Sequence, residues 1–184
     1  MKRRLRNVEL EDDVILAREG DREAFIRLIQ RLEMNMYRVA RAIVKRDEDC
    51  ADAIQETILK AYQSVRTVRE PAYFKSWLLR ILINECKQIL RRQKRMVLSE
   101  PDPALSASSS EYDMVDVKEA VDRLEDTLRM VVTLYYFEDL PLRQIAELLE
   151  TTEGTVKSRL HRARLTLADW LCIPAVERKV GYEG

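Results

Sequence analysis

The sequence predicts an all-α protein: two small helical domains joined by a flexible acidic linker, the C-terminal one a helix-turn-helix. Three observations carry that prediction. Glycine and proline are scarce, at 4 and 5 of 184 residues, while Leu, Ile, Ala, Arg, Glu and Lys dominate, the composition of a helical chain. Apolar residues recur at steps of three and four along two blocks, which is the helical period. Between the blocks that period stops. Ser99-Glu100-Pro101-Asp102-Pro103 and Ser106-Ala107-Ser108-Ser109-Ser110 hold prolines and serines but no core-forming pattern, so they read as a linker. The expected boundaries are 1–96 for the first domain, 97–115 for the linker, 116–172 for the second domain and 173–184 for a tail.

The first block divides into four helices. Leu10 to Glu19 forms a short one closed by Gly20, and Asp21 caps the next, a long helix. Phe25, Leu28, Ile29, Leu32, Met36, Val39 and Ile43 recur along its inner side. Asp47 starts a third helix with Ile54, Ile58, Ala61 and Tyr62 facing inward. Its outward positions are Asp52, Gln55, Glu56 and Leu59, an acidic and amide surface around one apolar residue. Such a surface repels DNA and suits a protein partner, although one exposed Leu needs no explanation by itself. Pro71 starts the fourth helix, from about Ala72 into Arg95, with Leu78, Ile81, Leu82 and Ile89 as its inner stripe.

Roughly opposite that stripe lie Tyr73, Trp77, Arg80, Asn84, Lys87 and Arg91. Rings interleaved with cations on one face suit single-stranded nucleic acid, because rings stack on bases while cations follow the backbone. Tyr73 and Trp77 would serve equally well as core. The basic run Arg91-Arg92-Gln93-Lys94-Arg95 adds to the nucleic-acid reading.

The second block begins near Asp116, with Val117, Val121, Leu124, Leu128, Val131, Val132 and Leu134 as apolar positions. Pro141 suits the first turn of a helix of about two turns, whose apolar face is Ile145, Leu148 and Leu149. Glu150-Thr151-Thr152 connects it to the last helix, which Thr151 or Thr152 caps through its hydroxyl. On that helix Val156, Leu160, Ala163 and Leu167 fall on one narrow stripe. Ser158, His161 and Arg162 lie opposite, flanked by Lys157, Arg159 and Arg164. A short helix, a tight turn and a second helix with a basic outer face is the helix-turn-helix pattern, and such a face fits a DNA major groove. The plainer alternative is a solvated basic face.

Charge and composition narrow the function. Lys and Arg total 32, as do Asp and Glu, so the formal net charge is zero. The charge is nonetheless segregated: Lys87 to Arg95 is basic and Glu100 to Asp126 is acidic, and this asymmetry says more about partners than the total. No apolar stretch follows the basic Met1-Lys2-Arg3-Arg4-Leu5-Arg6, and no run approaches the roughly 18 apolar residues of a membrane span. Cys50, Cys86 and Cys172 with a single histidine make neither a zinc spacing nor a disulfide framework. The expectation is therefore a cytoplasmic protein with incidental thiols and no metal or cofactor. One histidine, no glycine-rich phosphate loop and no nucleophile–base pairing leave an enzyme as the poorest reading.

Three stretches together resemble the extracytoplasmic-function group of bacterial RNA polymerase sigma factors. They are Asp52-Ala53-Ile54-Gln55-Glu56-Thr57-Ile58-Leu59-Lys60-Ala61-Tyr62, then Phe74-Lys75-Ser76-Trp77-Leu78 with Ile83-Asn84, then Gly154-Thr155-Val156-Lys157-Ser158-Arg159-Leu160-His161-Arg162-Ala163-Arg164. The resemblance runs from about Asp21 to Trp170 in the family's order. It implies a region 2 domain that melts the promoter −10 element and a region 4 helix-turn-helix that reads the −35 element, with the linker where other sigma factors carry region 3.

By the same resemblance, Asp52, Gln55, Glu56 and Leu59 would dock on the clamp helices of core RNA polymerase. The loop from Thr67 to Phe74 and the helix bearing Tyr73, Lys75, Trp77, Arg80, Asn84, Lys87 and Arg91 would open the −10 element and hold a flipped base. Thr155, Lys157, Ser158, Arg159, His161, Arg162 and Arg164 would form the −35 surface. The linker would thread the polymerase cleft towards the RNA exit channel. An anti-sigma factor, often membrane-bound in this group, is the further partner implied.

Two positions depart from the pattern. Glu150 stands where the helix-turn-helix usually has Gly; a positive φ would cost Glu roughly 1 kcal/mol, so the turn is expected to be built differently. Glu125 replaces a common proline after Leu124, and still suits a first helical turn. Two other readings compete with a sigma factor. A free-standing helix-turn-helix regulator leaves the aromatic–basic helix and the acidic face without a role. A helical protein-binding adaptor leaves the basic recognition face unexplained.

Overall fold

The computed structural model describes residues 2–97 and 117–171. The predicted tail, Cys172 and all but the first residue of the predicted linker lie outside them. Every regular element among the described residues is helical, and the chain divides into two compact units, Met1–Leu98 and Ser99–Gly184.

The first unit contains α1 (Lys2–Glu19), α2 (Arg22–Val44), α3 (Asp47–Ser64) and α4 (Phe74–Val97). Helix α1 begins well before the expected Leu10, because no Gly or Pro interrupts Lys2 to Glu19. It ends where the glycine predicts. Gly20 takes φ 107°, its N–H donates to the Ala17 carbonyl at 3.1 Å, and the Asp21 N–H donates to Leu16 at 3.0 Å. This is the two-bond Schellman closure, which a left-handed residue makes possible. Asp21 then turns round to cap α2, accepting from the Ala24 N–H at 3.1 Å. One residue thus finishes one helix and starts the next.

Buried Asp13 on α1 ties down α2. It accepts from Arg27 Nε at 3.0 Å and Nη2 at 2.6 Å, and stands 3.6 Å from Arg31. Helices α2, α3 and α4 each pack on the other two, while α1 lies on α2 and against the short turns Val65–Thr67 and Pro71–Tyr73. The inner residues expected on α2 are buried, apart from half-buried Ile29.

The inner face of α3 is rotated from the expected one. Cys50, Ala53, Thr57 and Ala61 are buried, Ile54 and Ile58 are half-buried, and Tyr62 is exposed. The physical reason is size: small side chains let α3 lie close to α2 and α4, and the larger ones move to the rim. The Thr57 hydroxyl is satisfied within the helix by the Ala53 carbonyl at 2.6 Å. On α4 the buried set is Phe74, Leu78, Leu79, Leu82, Ile83 and Cys86, with Ile81 and Ile89 half-buried. A helix covered by two neighbours needs a wider apolar face than the single stripe expected. Pro71–Tyr73 forms a 3-10 turn, and the α-helix proper begins at Phe74. Burial pushes the Cys50 thiol up and the Cys86 thiol up to about 12.

The second unit contains α5 (Val117–Arg123), α6 (Asp126–Val132), a π-helical turn (Thr133–Phe137), α7 (Leu142–Leu148) and α8 (Glu153–Trp170). Its core is Val121, Leu124, Leu128, Val131, Val132, Leu134, Ile145, Leu148, Val156, Leu160 and Ala163. Val117 is exposed rather than core, since it stands at the open first position of α5. Arg129, only 3% exposed, joins α5 to α6. Its Nη1 donates to the carbonyls of Asp122 at 3.0 Å and Leu124 at 2.8 Å, and its Nη2 to Asp126 at 2.6 Å. The guanidinium thereby satisfies carbonyls that the end of α5 leaves unpaired.

Candidate nucleic-acid interface

The turn between α7 and α8 sets how the last helix is presented. Glu150 takes φ 53°, and the Thr151 N–H donates to the Ala146 carbonyl at 2.9 Å. This corrects the expectation of a different turn: the chain keeps the left-handed Schellman geometry with Glu where Gly would be free of strain. Of the two candidate caps, Thr152 is the one used, accepting from the Thr155 N–H at 3.1 Å. The Thr152 and Thr155 hydroxyls are also 2.9 Å apart, so Thr155 is engaged in the cap and half-buried.

On α8, Val156, Leu160 and Ala163 are buried and Leu167 is half-buried, as the stripe predicts. Lys157, Ser158, His161 and Arg162 are exposed together on the outer side. The Ser158 hydroxyl donates back to the Thr155 carbonyl at 3.0 Å, leaving its lone pairs outward. Arg159 and Arg164 are half-buried at the flanks. Arg164 Nε donates to the Tyr136 hydroxyl at 2.7 Å, with its guanidinium 5.8 Å from the ring centre. Arg162 Nη2 stands 3.9 Å from Glu125 Oε2. The helix therefore offers a compact set of donors at one surface, the requirement for reading base edges and phosphates in a major groove.

On α4 the expected face is present but uneven. Tyr73, Arg80, Asn84 and Arg91 are exposed, whereas Lys75, Trp77 and Lys87 are half-buried. Trp77 leans on buried Phe74, ring centres 5.5 Å apart and planes 35° apart. It is thus packed on one side and open on the other, between the two readings of the sequence.

All four outward positions expected on α3, Asp52, Gln55, Glu56 and Leu59, are exposed. Asp52, Gln55 and Glu56 line a polar groove with Lys60, Glu85 and Arg92, across which Lys60 meets Glu85 at 2.7 Å.

Comparison with known proteins accounts for both units. Residues 28–96 match sigma-70 region 2 and residues 114–167 match sigma-70 region 4. The RNA polymerase sigma factor SigV of Bacillus subtilis is 37% identical over 134 residues, covering 71% of this chain and 81% of its own. The chain belongs to the extracytoplasmic-function sigma factors. The ECF sigma factor SigM of Mycobacterium tuberculosis is 34% identical over 152 residues, covering 81% of this chain and 78% of its own. In fold, the sigma factor is similar to RpoE of Bartonella quintana, solved in complex with the anti-sigma factor NepR. The TM-score is 0.67 at 23% identity, over 81% of this chain and 97% of that one.

A sigma factor is a transcription-initiation factor that takes core RNA polymerase to promoters, not a catalyst. Among the described residues of this sigma factor, no helix is long and apolar enough to cross a membrane, and no group of three or more His, Cys, Asp and Glu could hold a metal ion.

Sequence reasoning missed two features of these surfaces. Tyr62, expected in the core, is 45% exposed beside Leu59, which is 51% exposed. With Arg22, Phe25, Ile26, Gln55 and Ile58 they line a groove of about 540 Å³ between α2 and α3. Arg22 Nε donates to the Tyr62 hydroxyl at 3.1 Å, and the Phe25 and Tyr62 rings meet edge to face at 5.2 Å. The signal was available: Gln55, Leu59 and Tyr62 follow the i, i+4, i+7 spacing of one outer stripe. The Tyr136–Arg164 pair had no comparable signal, since its members are 28 residues apart on different elements.

Proposed function

We propose that this sigma factor divides promoter recognition among three faces. Lys157, Ser158, His161 and Arg162 on α8 read the −35 element, with Thr155, Arg159 and Arg164 completing that surface. Tyr73, Lys75, Trp77, Arg80, Asn84, Lys87 and Arg91 capture the melted −10 strand. Asp52, Gln55, Glu56 and Leu59 dock on core polymerase. The observation that carries this reading is the sorting of α8, which buries Val156, Leu160 and Ala163 while exposing Lys157, Ser158, His161 and Arg162. The acidic surface of α3 supports a protein rather than a DNA partner there. The protein works in the cytoplasm without catalysis of its own, and an anti-sigma factor restrains it, as RpoE is found with NepR.

Run-off transcription with purified core polymerase on genomic fragments tests the reading: promoter-dependent transcripts are expected. Asp52→Lys with Glu56→Lys is expected to abolish co-purification with core polymerase. If the doubly reversed protein assembles at wild-type affinity, α3 is not the docking face.

A further inference from the structure

Glu125 stands at the N-cap of α6, yet its side chain makes no cap hydrogen bond. Its carboxylate is instead held between two other groups. Oε1 accepts from the Thr127 hydroxyl at 3.0 Å, and Oε2 faces Arg162 Nη2 at 3.9 Å. Both side chains of the pair remain open to solvent, at 60% for Glu125 and 68% for Arg162.

We propose that Glu125 is a specificity-determining residue for promoter recognition: it buttresses Arg162 and competes with DNA phosphates for it. This rests on the assignment of Arg162 to the −35 element. Arginine presents five N–H donors in a rigid fork, so one nitrogen can face the carboxylate while others reach the O6 and N7 of a guanine. Phosphates are met on every sequence, a guanine edge only on the right one. A carboxylate beside Arg162 thus discounts the contact any DNA can make and spares the one that identifies the site. Glu125 acts through Arg162 and is a positioning residue, reading no base itself.

The test uses holoenzyme assembled with the full chain, a promoter fragment recovered from run-off transcription, and the same fragment with its −35 element scrambled. Glu125→Gln keeps the side-chain length and an oxygen for Thr127 while removing the charge. It is expected to tighten binding to the scrambled fragment by about two- to fivefold, the range open to an exposed ion pair, with little gain on the promoter. Single-base changes across the −35 element should show preference relaxed at the same position that Arg162→Ala relaxes. In the Arg162→Ala background, Glu125→Gln should change nothing.

An unchanged ratio between the two fragments overturns the proposal. So does an equal change in the Arg162→Ala background, which would mean that the carboxylate repels DNA directly. If Arg162→Ala alone leaves the −35 preference intact, the assignment of Arg162 itself fails and the buttress falls with it.

Discussion

Glu150 occupies a left-handed position, φ 53°, that glycine adopts without strain. Part of the free energy gained by folding the second unit is therefore lost at one backbone position. Glu150→Gly is expected to stabilise that unit by about 0.5–1 kcal/mol, the strain relieved less the extra freedom of the unfolded chain. Hydrogen-exchange protection of α7 and α8 would rise; unchanged protection would mean that the strain is already compensated. Cys86 makes the opposite case, a residue whose burden depends on pH. Its thiol is raised from 9.0 to about 12 by burial, so above pH 9 the unfolded chain ionises while the folded one cannot. Stability of the first unit is intact below pH 9 and falls as pH rises towards 12, by about 1.4 kcal/mol per pH unit for this one proton. Urea midpoints followed between pH 8 and 11 would show the fall, and Cys86→Ala would reduce its slope, leaving the part due to the Cys50 thiol, which burial also raises.

At the scale of elements, legibility followed contrast. The outer faces of α3 and α8 were readable because charged and amide residues stand there against an apolar or small-residue interior, and no packing arrangement would bury Asp52 or Arg162 unpaired. The inner face of α3 was only partly readable: Ala61 was expected there and is buried, but the small Cys50, Ala53 and Thr57 give a weaker hydrophobic signal than the isoleucines beside them. The larger Ile54, Ile58 and Tyr62 drew the expected face about one position round. Trp77 resisted assignment for a related reason, since a ring resting on Phe74 and open on its other side satisfies both readings. Its helix yields a direct test. Arg80→Ala with Lys87→Ala is expected to reduce open complexes far more than closed ones. A template already mismatched across the −10 element should partly restore transcription, because unpairing no longer has to be driven by binding. Permanganate reactivity of thymines reads the effect; normal melting, or no rescue, would make this face structural.

For the whole molecule, a net charge of zero conceals a basic outer surface on α8 and acidic positions on α3, which the proposed function gives to different partners. Salt therefore acts on the two associations separately. If the α4 and α8 faces meet DNA phosphates as proposed, promoter binding should weaken steeply with salt. The division into two units has a thermodynamic counterpart. Calorimetry of the full chain is expected to show two transitions rather than one. Phe74→Ala, which empties a fully buried site in the first unit, should cost about 3–5 kcal/mol and move one transition only. Coupled movement of both would show that the units share stability.

The small-residue interior of α3 has a consequence for engineering. Because nothing larger than Thr57 anchors its buried stripe, almost all of the information that distinguishes this helix from another lies on its solvent side. Outer and inner positions are thus largely separate, although Asp52, Gln55 and Glu56 border a groove shared with α4, and Gln55 and Leu59 one shared with α2. The same close fit sets a hard boundary. Ala53→Leu would force helices apart at a cost of about 1–3 kcal/mol. A combinatorial library over the four outer positions, with the inner four held fixed, should therefore consist mostly of folded proteins; if this face docks on core polymerase as proposed, they would differ in which polymerase they accept.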